Sequence, residues 1–144
     1  MPRAEYPFFS LPWQNNTTRV YLPVRLTNPA TGQVTNIEMA LVDTGADSCA
    51  IPGSLASSLG HTLKHKDVLS KQTSGIGGIQ VETYGHTFKL ELLSADAGKV
   101  VWCCDHAMIE CIDKEIPILL GTKDFLAGFK ITIDYPAQKV VLRW

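Results

Sequence analysis

No apolar run in these 144 residues approaches the length of a membrane span, and no block of like charge stands out. Thirteen basic against 14 acidic residues leave a formal net charge of −1. That balance excludes an electrostatic nucleic-acid footprint and a basic face for a membrane surface. Pro2, Pro7 and Pro12, with Glu5 among them, interrupt the first stretch, which therefore does not read as a signal peptide. The expectation is a cytoplasmic protein in which Cys49, Cys103, Cys104 and Cys111 are reduced thiols. Low-complexity segments are absent, and helical periodicity is scarce. The length suits one domain that buries a core without disulfides or a structural metal.

Short β-type runs between turn residues take the place of helices. Residues 18–27, 34–42, 79–84, 87–93, 100–104 and 107–112 read as strands, the last two as a pair, and 68–72 leads into a glycine-rich tip. Residues 117–121 read as a buried strand ending in glycine, and 131–134 with 139–142 as a closing hairpin. Only 52–59 and 123–129 read as short helices. Many short strands with one or two short helices describe an all-β domain, closed or sandwich-like. Residues 1–17 read as an N-terminal extension and 18–144 as the domain. In the extension, Tyr6, Phe8, Phe9 and Trp13 read as packing against the barrel; a self-cleavage segment or partner-docking arm is the alternative.

The most informative tripeptide is Asp43-Thr44-Gly45, directly behind the apolar run Met39-Ala40-Leu41-Val42. A strand that ends on a tight turn can hold a carboxylate at a fixed place, and Gly45 permits the sharp turn. An ordinary Asp-initiated turn is the plain alternative. A weak internal echo supports more than that. Leu41-Val42-Asp43-Thr44-Gly45 and Ile118-Leu119-Leu120-Gly121-Thr122 are both apolar strands entering a glycine turn and then a helix, but the second lacks the Asp. The glycine-rich Gly75-Ile76-Gly77-Gly78 precedes an alternating run rather than a helix, which disfavours a phosphate-cradling loop and favours a hairpin tip.

These landmarks, in this order, resemble the retroviral-type aspartic proteases (retropepsins), with the single-lobe stand-alone bacterial members looking closest. The resemblance covers about residues 20–135. It implies an all-β, single-lobe, retropepsin-like closed β-barrel with a flap hairpin and one or two short helices. It also implies an aspartic endopeptidase acting as a homodimer, because each chain supplies one D-[ST]-G aspartate and two are needed. By the same resemblance Asp43 is the catalytic aspartate, Thr44 locks the two active-site loops together, and Gly45 offers its carbonyl to the substrate. Ala46 and Asp47 contact substrate, Gly75, Ile76, Gly77, Gly78 and Ile79 form the flap that closes over it, and Leu119 lines an apolar pocket. No metal or organic cofactor, nucleic acid or membrane partner is implied; the substrate is a peptide or protein. One departure stands out. Where the retroviral enzymes carry an Arg that pairs with the acid matching Asp47, this chain has Thr122, leaving Lys123 or Arg19 to substitute.

Rival readings remain. A dimeric peptide-binding or scaffold module with the same fold needs no Asp43 chemistry. The Cys103-Cys104-Asp105-His106…Cys111 segment fits no usual zinc spacing, and adjacent strand residues point to opposite faces. His61, His65, His86 and His106 have no recognisable partner cysteine for nucleophilic catalysis and read as surface or hairpin residues.

Overall fold

The run Tyr-Leu-Pro-Val-Arg-Leu-Thr sends Leu22, Val24 and Leu26 to one side, as a strand with a buried face must. In the computed structural model, which describes residues 1–11, 18–65, 67–68, 70–74 and 78–144, it is strand β2 (Tyr21–Thr27). The chain continues through β3 (Glu38–Val42), β4 (Ala50–Pro52), helix α1 (Gly53–Ser58), β5 (Ser70–Ser74), β6 (Gln80–Leu93), β7 (Val100–Ile112) and β8 (Leu119–Leu120). These strands order as β2-β3-β8-β4-β7-β6, and β6 pairs back onto β2 to close a barrel of six strands. Strand β5 hangs outside the ring on β6. The barrel is filled by Leu22, Val24, Leu26, Ile51, Phe88, Leu90, Leu92, Ile109 and Leu120, all buried. Register shifts between β6 and β7 at Phe88/Leu90 and Leu92/Leu93 let these long strands bend around that core.

A second, three-stranded antiparallel sheet caps the barrel in the order β1 (Arg3–Pro7), β10 (Lys139–Arg143), β9 (Lys130–Asp134). The closing hairpin forms as expected, and Arg3–Pro7 adds a strand that the prolines had concealed. Proline at the end of an outer strand costs no ladder bond that the sheet needs. Tyr6 is fully buried, and its hydroxyl donates to Leu93 O at 2.6 Å, fastening this layer to the barrel; burial pushes that hydroxyl up to about 12. Phe8 is half-buried, while Trp13 lies outside the described residues.

Three expectations change. Residues 100–104 and 107–112 are not a pair but one strand, β7, lying against an equally unbroken β6. Asp105 and His106, which stand between the two expected runs, are exposed positions within that strand, where polar side chains are tolerated. The helix expected over 123–129 is a single 3₁₀ turn, Leu126–Gly128, because Asp124 takes a left-handed backbone (φ 64) and stops helix from starting earlier. His86 is buried and His61 half-buried, their rings 4.6 Å apart, with Nε2 of each facing a carbonyl, Leu63 O and Thr87 O respectively.

Burial, then the neighbouring His86, lowers the pKa of His61 below its usual 6.5, against the Thr87 carbonyl, which raises it. A lowered folded value means the unfolded chain takes up the proton first. This contribution to stability is therefore complete above pH 6.5 and is lost as pH falls through the folded value. The melting temperature should fall less on acidification in His61→Gln than in the parent; parallel curves would contradict this. A second stability prediction concerns Tyr21, which is 1 % exposed and whose Oη has no hydrogen-bond partner among the described residues. Removing an unsatisfied buried hydroxyl relieves its desolvation cost, so Tyr21→Phe should stabilise the chain by about 1–2 kcal/mol in urea unfolding. Destabilisation would show that the hydroxyl is satisfied.

Candidate active site

Asp43 is carried on a backbone that is held from both sides. Strands β3 and β8 run parallel, pairing Leu41 with Leu119 and Val42 with Leu120. Leu41 N donates to Ile118 O at 2.8 Å, Asp43 N to Leu120 O at 3.0 Å, and Val42 N to Val20 O at 2.9 Å. Beyond Val42 the chain turns: Gly45 N donates to Asp43 Oδ1 at 3.0 Å and Ala46 N to Asp43 O at 3.2 Å. This is an Asp-anchored turn, as the tripeptide suggested. It orients one carboxylate oxygen while the side chain remains half-exposed at the end of the barrel. Thr44, Gly45 and Asp47 are exposed and Ala46 is half-buried.

The second copy of the echo, at 118–122, lies directly beside the first and braces it. Thr122 donates twice to Ala46 O, from N at 2.9 Å and from Oγ1 at 3.2 Å, and Lys123 N donates to Asp47 O at 2.9 Å. Gly121 is buried where these turns touch. A Cβ there would lie 2.8 Å from Ala46 O and would overlap the Ser48 carbonyl. Glycine at this point follows from contact, since two backbones approach too closely for any side chain. Thr122 thus braces the loop through backbone atoms. Among the described residues the Asp47 carboxylate has no cationic partner, from Lys123, Arg19 or elsewhere.

Leu119 is half-buried on β8 beside Leu41. The glycine-rich tip is reached by the β5–β6 hairpin, whose last pair is Ser74 with Gln80. Gly75, Ile76 and Gly77 lie outside the described residues. Gly78 has the left-handed φ of 74 that favours glycine, and Ile79 is 65 % exposed. An ion pair between Lys71 on β5 and Glu110 on β7 spans the hairpin root over Gly85, and Asp124 Oδ2 accepts from Met108 N at 2.9 Å behind the Thr122 turn. Sequence reasoning missed both, because neither partner is near the other in the chain.

The two buried cysteines offer no second chemistry. Cys49 and Cys111 are buried, and burial pushes their thiols up to about 11 and about 12, so neither supplies a thiolate near neutral pH. Cys103 is exposed and Cys104 half-buried, as alternation on a strand requires. Among the described residues no group of three or more His, Cys, Asp and Glu side chains converges as a metal site. No helix of the described residues is long and apolar enough to cross a membrane.

No protein-family model and no curated protein matches the chain. Solved structures do. A retropepsin-like aspartic protease from Rickettsia conorii superposes with a TM-score of 0.62 over 99 % of each chain, at 18 % identity. The EIAV protease complexed with the inhibitor HBY-793 has a TM-score of 0.48 at 18 % identity, covering 74 % of this chain and 85 % of that one. The retroviral protease-like domain of Ddi1 from Leishmania major has a TM-score of 0.48 at 19 % identity, covering 84 % and 85 %. The closed barrel with its parallel β3–β8 pair is the single-lobe fold of the retropepsin-like aspartic proteases.

Proposed function

We propose that the chain is an aspartic endopeptidase that works as a homodimer in the cytoplasm and cleaves extended peptides beside apolar side chains. The observation that carries this reading is Asp43: one carboxylate, oriented by Gly45 N–H, half-exposed at the end of a barrel of the protease fold. A single carboxylate is too weak a base to activate water well. Two placed about 3 Å apart share one proton, the arrangement known for aspartic-protease dyads. The second must come from a second copy, which puts the site on a two-fold axis.

The chemistry then follows. The ionised Asp43 removes a proton from water, and the resulting hydroxide attacks the scissile carbonyl. The protonated Asp43 of the other copy gives its proton to the carbonyl oxygen, forming a neutral tetrahedral intermediate. Collapse breaks the C–N bond as a proton passes to the leaving nitrogen, and the shared-proton state returns. Carboxylates and water supply every proton, so no cofactor is needed. Thr44, exposed next to Asp43, links the loops of the two copies. Gly45 O, Ala46 and Asp47 hold the substrate backbone. Gly75, Ile76, Gly77, Gly78 and Ile79 close over it as a flap, and Leu119 lines the pocket for an apolar side chain.

Digestion of a diverse peptide mixture, read by mass spectrometry from about pH 4 to about 7.5, tests this reading. Cleavage beside apolar residues that vanishes in Asp43→Asn supports it. A stable dimer that binds peptides and never cuts them would instead be a peptide-binding module on the same fold.

A further inference from the structure

The segment behind α1 is fastened to β6 by two hydrogen bonds that run in opposite directions. His61, on the segment, points Nε2 at Thr87 O of the strand at 3.1 Å. His86, on the strand, points Nε2 at Leu63 O of the segment at 3.2 Å. A carbonyl oxygen only accepts, so each Nε2 carries the hydrogen and each Nδ1 is left bare. The rings lie 4.6 Å apart, with Phe88 packed against His61 at 4.7 Å. The clasp also sits where it has leverage. Pairing of β5 with β6 begins at Ser70 with Tyr84, two residues short of His86, so the clasp stands at the root of the hairpin. From Leu63 the chain goes on to β5, whose neighbour in the sheet is β6 alone.

Among the described residues no carboxylate pairs with either ring. Helix α1 carries no titratable side chain. The turn at 28–33 meets the segment through neutral Asn28 and Thr31, both donating to Leu59 O. On the segment itself, Lys64 pairs with Asp113 and His65 with Asp67. On β6, Tyr84 and Glu82 lie beside Lys64. On β7, Ile109 stands opposite His86, Glu110 is taken by Lys71, and the Cys111 thiol is buried and pushed up to about 12. A positive charge on these rings therefore has no counter-charge and little water.

We propose that the His61–His86 clasp is an acid-released latch on the root of the β5–β6 hairpin. Proton uptake at Nδ1 sets like charges on facing rings, and residues 61–63 leave β6 so that water can solvate them. Burial, then His86, lowers the pKa of His61 below 6.5, against the Thr87 carbonyl. The open form thus takes up its proton first, and opening is favoured as pH falls below 6.5 but not above it. Release of a flap in acid is the consequence if the protease reading holds; the latch itself does not rest on that reading.

The test is amide hydrogen exchange of the full chain, read by NMR and corrected for the intrinsic rate at each pH. The reporter is His61 N–H, which donates to Ala56 O at 3.1 Å. Its opening constant should rise by up to about tenfold per pH unit below 6.5 for one proton taken up. Cross-strand amides of β5 and β6 should follow, while barrel amides such as those of Leu90 and Leu92 stay protected. His61→Gln keeps an N–H for Thr87 O and takes up no proton, so its opening should vary by less than about twofold between about pH 7.5 and about pH 5. Imidazole nitrogen shifts at neutral pH should show both rings protonated at Nε2. The proposal is overturned by opening that is independent of pH in the parent, or by the same pH dependence in His61→Gln. An Nδ1–H ring at neutral pH, or hairpin amides that stay protected while His61 opens, overturns it equally. Peptide cleavage enters none of these readouts.

Discussion

Replacing Gly121 by alanine is expected to destabilise the chain by about 3–5 kcal/mol, the largest effect of any single methyl group here. The added Cβ meets the Ser48 carbonyl and lies 2.8 Å from Ala46 O. Both are backbone atoms, so no side-chain rotation relieves the overlap. The loop carrying Asp43, Ala46 and Asp47 has to separate from the Thr122 turn, and the two bonds from Thr122 to Ala46 O go with it. Urea unfolding measures the loss, with Gly128→Ala as the control. At Gly128 the nearest atom to a new Cβ is Trp102 Cζ2 at 3.9 Å, ordinary contact, and stability should change little. Equal behaviour of the two variants would mean that the Gly121 contact is not a constraint. Activity should fail in Gly121→Ala even at temperatures where the variant remains folded, because the brace and the turn that carries Asp43 are one contact.

Asp43→Asn has the complementary signature. Asparagine keeps a carbonyl oxygen where Asp43 Oδ1 accepts from Gly45 N, so the turn survives and unfolding should shift by less than about 1 kcal/mol. Peptide cleavage should nonetheless fall by at least about 10⁴-fold, since an amide neither removes a proton from water nor shares one with its counterpart. Asp43→Ala loses the turn bond as well and should be both inactive and less stable. Residual cleavage within about tenfold of the parent in a pure Asp43→Asn preparation would place the chemistry elsewhere.

The turn at Asp43, the strand before it and the Leu119-Leu120-Gly121 run were readable because each is local. An apolar run, then a residue that bonds its own backbone, then a glycine announces a strand ending in a tight turn. Their parallel pairing was readable only as an echo between two short segments, and the barrel makes it literal. What stayed hidden depends on partners distant in sequence. Gly85, Asp105 and His106 look like breaks, but β6 and β7 run through them because the ladder between these strands supplies the order that local preference does not. Strand β1 forms against β10, at the other end of the chain, and the burial of Tyr6 holds it there. His86 passes for a surface residue until Leu63 O and the His61 ring are seen to cover it. The brace supplied by Thr122 was concealed in the same way, since it acts through Ala46 O rather than through the Asp47 carboxylate.

A shared catalytic pair makes one demand that no single-chain mechanism makes: an inactive copy must poison an active one. The decisive measurement holds the parent concentration constant, adds increasing amounts of Asp43→Asn, allows subunits to exchange, and reads peptide cleavage. With one aspartate from each copy, activity should fall to about one tenth at a ninefold excess of the variant, because most parent chains then sit in mixed dimers. Cleavage that stays constant as the variant is added would show that one chain suffices, and would contradict the dyad.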